Sequence, residues 1–307
     1  MSEAPLESRD GPVAAIVVTH ESSAVIGACL ESLRAGAPRR GVEVCVVDND
    51  SRDGSADLAE GFLGAGRVIR LDVNRGYAAG VNAGLVRSDA PWIAVLNPDV
   101  RIPPGGIDRL VDALAPRARA GLAGPRVVGP GGRRERSVGR FPTPALEWAH
   151  SWFLDKLGWP GRFPPQPEAT GSVEWVSGCA WLLRAEAVHA IGPLDERYFM
   201  YCEDVDYCRR LHDAGWDVLV VPEVEWFHGL GQGSTESPLQ PADGGPALLR
   251  YLTKFHPEVP EARVRKILRR TWKLRRAWRL MRLRLGDGAS APLVRRYEIA
   301  IEGLDRP

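Results

Sequence analysis

The sequence predicts an α/β protein, a mostly parallel sheet flanked by helices and followed by a basic helical tail. Three observations predict it. Between residue 13 and about residue 125, short β-branched runs alternate with amphipathic stretches, the pattern of a parallel sheet with helices on its faces. Polar clusters stand directly after three of those runs, where open α/β sheets bind ligands. Late in the chain, residues 262–286 hold eleven Lys or Arg and no acid, so a protein of formal charge +1 has a body near −10 and a strongly basic end.

The elements are expected in the following order. Val13 to Thr19 reads as a buried strand, with a helix from Ser22 to Leu33 after it. Val42 to Val47 is the second strand, and Ser51 to Gly54 leads into a second helix. Val68 to Leu71, a helix from Tyr77 to Val86, and Trp92 to Leu96 continue the alternation. Gly129 to Gly132 and the Pro- and Trp-rich stretch from Phe141 to Pro167 break it; an irregular excursion, a flap over an acceptor, is expected there. Regularity returns with a strand from Val173 to Leu183, a short helix from Ala185 to Ile191, a helix from Glu203 to Ala214 and a strand from Asp217 to Val221. Gly229 to Gly245 is loop-like, rich in Gly, Ser and Pro, and the basic tail begins after Pro260.

Composition sets the broad class. With 44% hydrophobic and 26% charged residues, the 307-residue chain has the balance of a globular protein. The polar, acidic start has no apolar core for a signal peptide, and no apolar run approaches the roughly 20 residues that span a bilayer. Cys29, Cys45, Cys179, Cys202 and Cys208 stand singly among apolar neighbours, which predicts free thiols in a reducing compartment and a cytoplasmic location.

Four motifs carry chemistry, and each also has a plain structural reading. Asn97-Pro98-Asp99 after the strand Trp92–Leu96 is good turn chemistry. Its carboxylate at a strand end also suits a hard cation, Mg²⁺ or Mn²⁺, whose remaining ligands are phosphate oxygens. Glu203-Asp204-Val205-Asp206 places three acids at a helix start, where the dipole favours them and Asp206 can pair with Arg210. The same cluster supplies a general base for a hydroxyl, its pKa raised by burial and like charge. His228, before a glycine-rich loop, is either a core histidine or a metal ligand beside amides that meet phosphate. Asn74-Arg75-Gly76-Tyr77 is a glycine-assisted helix start, and it also sets a fixed cation where a diphosphate would lie.

The order of these elements is what decides between the readings. Ile16-Val17-Val18-Thr19, Val46-Val47-Asp48-Asn49-Asp50-Ser51-Arg52-Asp53-Gly54-Ser55, Asn74-Arg75-Gly76-Tyr77, Leu96-Asn97-Pro98-Asp99, Gly178-Cys179-Ala180, Phe199 to Asp206 and His228 together resemble family 2 glycosyltransferases. Within that family the chain is similar to rhamnosyltransferases that use dTDP-L-rhamnose, including those that build cell-wall linkers on polyprenyl diphosphate carriers. The resemblance covers about residues 13–235.

It implies a GT-A-type, Rossmann-like nucleotide-diphospho-sugar transferase fold and inversion at the anomeric carbon. It divides the chain into a disordered start (1–12), a nucleotide-sugar-binding half (13–125), an acceptor-binding and catalytic half (126–240) and the basic tail (241–307). By the same resemblance Asp48 reads the pyrimidine base, Thr19 and Glu21 line the nucleoside pocket, and Arg75 lies near the nucleotide. His20, Asn49, Asn74, Gly76, Asn82, Asn97 and Pro98 belong to the same nucleotide-sugar side. Asp99 holds the metal, His228 approaches it, Asp204 is the base with Glu203 as its rival, and Trp175, Gly178 and Cys179 face the acceptor. Many relatives carry Asp where this chain has Asn97; the rhamnosyltransferase-like members share the Asn. A UDP- or GDP-sugar donor and a non-catalytic nucleotide-sugar-binding module are the alternatives. A dehydrogenase would need GxGxxG after the first strand, where this chain has Thr19-His20-Glu21-Ser22.

In the tail, Val264, Ile267, Thr271, Leu274, Trp278, Met281 and Leu285 recur at alternating three- and four-residue spacing and draw one apolar seam among cations. With Trp272 and Trp278 as anchors, this predicts peripheral contact of 262–285 with an anionic membrane, on the inner face of the cell membrane. Packing on its own domain or on a second subunit, as in a homodimer, is the alternative. No base-reading motif accompanies the cations, so nucleic acid is not expected as a partner.

Overall fold

The computed structural model describes residues 11–37, 39–64, 66–229 and 244–304, with the side chains of 155 and 156 excepted. The expected disordered start therefore lies outside the described residues up to position 10, and the glycine-rich loop does so over 230–243. The chain divides into two compact units. One comprises Met1–Gly139, Pro165–Arg197 and Glu203–Pro238; the other comprises Arg140–Pro164, Tyr198–Cys202 and Leu239–Pro307.

The first unit is built on a sheet of nine strands among the described residues. In chain order its elements are β1 (Val13–Thr19), α1 (Ile26–Gly36), β2 (Val42–Asn49), α2 (Ser55–Leu63), β3 (Val68–Leu71), α3 (Tyr77–Leu85), β4 (Trp92–Leu96), β5 (Val100–Arg101), α4 (Gly106–Leu114), β6 (Ala120–Val128) and β7 (Val138–Gly139). After an excursion come β8 (Gly171–Ser172), β9 (Trp175–Val176), β10 (Ala180–Arg184), α6 (Ala185–Ile191), α7 (Glu203–Asp213) and β11 (Asp217–His228). Sheet order is β3-β2-β1-β4-β10-β6-β11-β5, with β8 also on β11; β7 pairs with β9 in a separate ribbon. The strands β3, β2, β1 and β4 are mutually parallel, as are β6 and β11, while β10 runs antiparallel between β4 and β6.

Burial explains why the first strands are nearly continuous apolar runs. β1 and β4 are buried along their whole length, as strands covered on both faces must be. Helix α3 lies close on β1 because it has glycines where other residues would collide. A Cβ on Gly80 would come within 2.5 Å of Val18, and one on Gly84 within 2.4 Å of Ile16.

Several boundaries differ from expectation for physical reasons. The first helix starts at Ile26 rather than Ser22. The Ser22 N–H donates to Ser55 Oγ (2.7 Å) and its carbonyl accepts from Val25 and Ile26, so residues 22–25 form a turn. The strand expected over Val173 to Leu183 is broken into β9 and β10, since the intervening Gly178 gives its backbone groups to side chains instead of a ladder. The last strand runs beyond Val221 to His228, across a register shift between Val221 and Glu225.

The second unit is helical: α5 (Pro144–Ser151), α8 (Gly244–Phe255), α9 (Glu261–Arg284) and α10 (Ala291–Gly303). Thr143 caps α5, its Oγ1 accepting from Leu146 N at 3.0 Å. The excursion expected as an irregular flap thus carries a capped helix. The hydroxyl of Thr271 on α9 donates to Glu147 O of α5 (3.1 Å), and Glu147, wholly buried, pairs with Arg162 at 2.8 Å. The tail seam is corrected as well. Val264, Leu268, Thr271 and Trp272 are the buried residues of α9, whereas Leu274, Trp278, Met281 and Leu285 are exposed. Trp272, expected as an interfacial anchor, packs inside this unit against the Gly245 position. A strict seven-residue pattern drifts by about 20° per heptad on a straight helix, so one face cannot bury the whole seam. Among the described residues, no helix is long and apolar enough to cross a membrane.

Candidate active site

The site grows from the carboxyl edge of the parallel strands in the first unit. Thr19 and Asp48 are register partners at the ends of β1 and β2, and both are buried. Asp48 Oδ2 accepts from Ser51 N (3.0 Å), but its Oδ1 and the hydroxyl of Thr19 are buried without a partner. Unsatisfied buried polar atoms are costly, and two together at a strand edge are the mark of a site awaiting a ligand's donors and acceptors. Asp50 follows at φ 63°, an uncommon conformation for a side-chain-bearing residue.

Neighbouring residues serve the frame. Asn49 donates to Gly76 O (2.9 Å) and accepts from Arg75 N (2.9 Å), so both ends of its amide hold the Asn74–Gly76 turn. Asn74 Oδ1 accepts from Gly76 N within that turn. Asn82 is committed in the same way, bonding both backbone groups of Leu194 and the Glu196 carboxylate. Glu21, at φ 49°, accepts from Arg52 N at 2.7 Å, and exposed His20 contacts Asn49 O through Nδ1 at 2.9 Å. Arg75 is half-exposed and bound to Glu196 at 2.7 Å. The amides of Asn49 and Asn82 therefore position the Asn74–Gly76 turn and the loop at Leu194–Glu196.

The metal-side expectation rests on Asn97, Pro98, Asp99 and His228. After β4 the chain turns at Asn97-Pro98 and enters β5, whose antiparallel pairing sets Val100 opposite His228. This register brings His228 Nε2 to 3.4 Å from Asp99 Oδ1 and 3.3 Å from Asn97 Nδ2. Gly229 follows closely: its N–H donates to Asp99 O (3.1 Å), and a Cβ there would lie 3.2 Å from the Asp99 carboxylate. On the other side of the ring, Nδ1 meets Glu135 Oε2 at 3.2 Å. Burial lowers the pKa of His228, but the Glu135 hydrogen bond and the fields of Asp99 and Glu135 outweigh it and hold the imidazole above its ordinary value.

Glu135 was not expected. It sits in Arg133-Arg134-Glu135-Arg136, which reads as a solvated charge run, and only the Glu135 N–H to Val127 O bond at the end of β6 turns it inward. Its second oxygen is buried without a partner.

The acid cluster lies at the first turn of α7. Asp204 is half-buried, accepting from Gly178 N (3.1 Å) and Val205 N (2.8 Å). Its pKa is raised by burial, against the pull of those N–H bonds, which favour the charged form. Glu203 is buried, its Oε2 without a partner, and burial together with the Asp204 charge pushes its pKa well up. Both carboxyls are therefore held above their ordinary values by burial, and at Asp204 the Gly178 and Val205 N–H groups oppose the rise. Asp206 is structural, buried and paired with Arg210 at 2.9 Å. Tyr201 and Cys202, just before the helix, both have positive φ, 71° and 63°.

These groups share one neighbourhood. The buried Tyr77 hydroxyl donates to Gly178 O (2.7 Å) and lies in the fields of Cys179, Glu203, Asp204 and Asp99. The Cys179 thiol, pushed by burial up to about 12, also feels Glu135, Asp99 and Asp204. It is an inert wall rather than a nucleophile. Of the three residues expected on the acceptor side, Trp175 is buried against Gly139 and Cys179 is buried, while Gly178 touches Asp204 directly. A Cβ on Gly178 would meet the Asp204 side chain at 3.2 Å.

Asp99 and His228 offer one oxygen and one nitrogen, with Glu135 behind the ring. Among the described residues, no group of three or more His, Cys, Asp or Glu is disposed to hold a metal by itself. Such a partial shell fits Mg²⁺ or Mn²⁺ completed by diphosphate oxygens.

A parallel half-sheet with acids converging at its carboxyl edge defines a nucleotide-sugar transferase of the GT-A type. Comparison with known proteins agrees. Glycosyl transferase family 2 matches residues 14–192, and the chain belongs to that family. It is 33% identical, over 73% of its length and 78% of the relative's, to the N-acetylglucosaminyl-diphospho-decaprenol L-rhamnosyltransferase of Mycobacterium tuberculosis. A shorter match, 39% identity over 18% of this chain and 21% of the relative, is to the rhamnosyltransferase WbbL of Escherichia coli. Among solved structures, GalNAc-T7 with UDP, GalNAc and Mn²⁺ superposes with TM-score 0.57 at 14% identity, covering 81% of this chain and 52% of that one. S. aureus TarS 1-349 in complex with UDP gives TM-score 0.54 at 17% identity, over 85% and 70%. At these identities the likeness shows the fold.

The buried state of Glu203 has a measurable consequence. A carboxyl whose folded pKa is raised contributes stability that is fully present below its unfolded pKa and is lost as pH climbs from there through the folded value. Glu203→Gln is therefore expected to melt above wild type, with a gap that widens as pH rises above the ordinary carboxyl range. A gap independent of pH, read by thermal denaturation, would contradict a raised pKa at Glu203.

Proposed function

We propose that this family 2 glycosyltransferase moves L-rhamnose from dTDP-L-rhamnose to a hydroxyl of a lipid-linked diphosphate acceptor, with inversion and with a divalent metal. One observation supports it most. Asp204, backed by the Gly178 N–H, shares a neighbourhood with Asp99 and His228, beside a strand edge where Asp48 and Thr19 keep unsatisfied atoms. The donor and acceptor classes follow the mycobacterial relative, whose name specifies an L-rhamnosyl group and a diphospho-decaprenol acceptor. We read 13–125 as the nucleotide-sugar half and 126–240 as the acceptor half.

Each residue has a defined task in this reading. Asp48 Oδ1 accepts the N3–H of a thymine or uracil, a donor that cytosine lacks, and the Thr19 hydroxyl completes the pocket wall. Arg75, its guanidinium steered by Glu196 and its backbone by Asn49, faces the diphosphate with its remaining N–H donors. Asp99 and His228 would hold the cation, and Glu135 meets the imidazole at Nδ1 while Nε2 faces Asp99. When bound, the cation stabilises the charge that grows on the leaving diphosphate.

Asp204 takes the proton of the acceptor hydroxyl as that oxygen forms its bond to the anomeric carbon. The bond from that carbon to the diphosphate oxygen breaks on the opposite face, so one displacement inverts the centre and needs no covalent enzyme intermediate. The raised pKa of Asp204 makes it a better base than an exposed carboxylate, and it is Asp204 rather than Glu203 that meets the Gly178 N–H.

Asp204→Asn is expected to lower kcat by about two to four orders of magnitude while leaving donor binding intact, read by turnover and by calorimetric titration of the nucleotide. Normal turnover would reject Asp204 as the base. A thermal-shift panel of dTDP-rhamnose, UDP-sugars and GDP-sugars, each with and without Mn²⁺, tests the donor. The largest stabilisation is expected with dTDP-rhamnose plus Mn²⁺. A larger shift with a GDP-sugar, or none that depends on metal, would overturn that assignment.

A further inference from the structure

We propose that the helical unit carries a docking face for an anionic lipid surface, formed jointly by α5 and the outer stripe of α9. The face begins with aromatic rings that remain in solvent after the unit has packed. Trp148 and Trp152, one helical turn apart, are about half exposed, and their rings meet edge to face at 6.3 Å. Phe153 meets Trp278 of α9 in the same way at 6.0 Å. Arg270 of α9 lies 3.8 Å over the Trp152 ring, and Arg275 lies 4.8 Å over Phe153. These contacts knit the α5 aromatics and α9 into one surface.

Along α9 the surface continues as a stripe. Arg270, Leu274, Trp278, Met281 and Leu285 recur every three or four residues, and all five are exposed. At about 100° per residue this stripe stands apart from the buried set Val264, Leu268, Thr271 and Trp272, and at about 1.5 Å per residue it is about 22 Å long. Exposed apolar residues arranged contiguously mark an interaction site, whereas scattered ones do not.

Charge selects the occupant. Residues 262–286 carry eleven cations and no acid. The single acid on each helix is already paired, Glu147 with Arg162 and Glu261 with Arg265. Arg276 and Arg282 have Glu298 and Asp287. No carboxylate among the described residues pairs with Arg270, Lys273, Arg279 or Arg284. Tryptophan, methionine and leucine on one strip, bordered by arginines whose stems can lie along it, match the boundary of a bilayer with negative headgroups. A second copy of this chain would set like charge against like. The inference does not depend on which sugar is transferred or on the acceptor.

Flotation of the full chain with phosphatidylglycerol-rich and with phosphatidylcholine vesicles tests the assignment. The chain is expected to float with the anionic vesicles only, less so as salt rises. Brominated acyl chains are expected to quench its tryptophan emission. Trp148→Ala/Trp152→Ala/Trp278→Ala should weaken binding at least about tenfold. Met281→Asp/Leu285→Asp, at largely exposed positions, should do the same without lowering the melting temperature. Failure of the wild type to float, equal flotation on both vesicles, or undiminished binding by the Asp pair would overturn the proposal. So would a lipid-indifferent dimer that the Asp pair splits into monomers, which assigns the face to a second copy.

Discussion

The backbone of Gly178 and Cys179 joins the two sides of the site. The Gly178 N–H holds the Asp204 carboxylate, the Gly178 carbonyl accepts from Tyr77, and the Cys179 carbonyl accepts from Asn97 N at the end of β4. The Asp204 carboxylate, the start of α3 and the Asn97–Asp99 turn thus hang on two residues. Their position follows from β10 running antiparallel between β4 and β6, which brings the segment preceding it back to the edge where the parallel strands end. A Cβ at 178 would press on the Asp204 side chain at 3.2 Å and shift it by a few tenths of an ångström.

The same region is where the protein departs from an ideal interior. Thr19, Asp48, Glu135 and Glu203 each keep a buried polar atom without a partner, and Glu21 and Asp50 hold positive φ. Each feature destabilises the unliganded chain. These lie at one sheet edge, beside a continuous apolar cluster of β1, β4, α1, α4 and β10 side chains, while other such atoms, the Tyr207 hydroxyl and Trp226 Nε1 among them, lie elsewhere. Ligand groups that satisfy these atoms recover the lost stability, so the strain favours binding. The carboxylates illustrate the economy of the arrangement. Adjacent Glu203 and Asp204 differ in environment: burial raises both, the Asp204 charge raises Glu203 further, and the Gly178 and Val205 N–H groups oppose the rise at Asp204.

Much of this was legible in the residues. Val13–Thr19, Val68–Leu71, Trp92–Leu96 and Ala185–Ile191 have the bounds that β-branched runs and helix signals indicate. The polar clusters do end parallel strands, because a strand buried on both faces can become polar only where it leaves the sheet. What was not legible depends on long-range contact. Glu135 is one acid among arginines until a backbone bond to Val127 turns it toward His228. Asn49 and Asn82 look like ligand-binding amides, and only the coordinates show both engaged by the protein's own backbone. The tail seam was visible as a period, but which face packs is decided by α5, whose existence the Pro- and Trp-rich composition of 141–167 conceals.

Hydrogen–deuterium exchange with dTDP and Mn²⁺ together tests most directly whether these segments share one cleft. Convergence predicts that exchange slows at once over 19–21, 48–55, 74–77, 97–101 and 226–229, and that dTDP alone slows the last two segments less. Protection restricted to a single segment, or spread over surfaces away from the sheet edge, would contradict it.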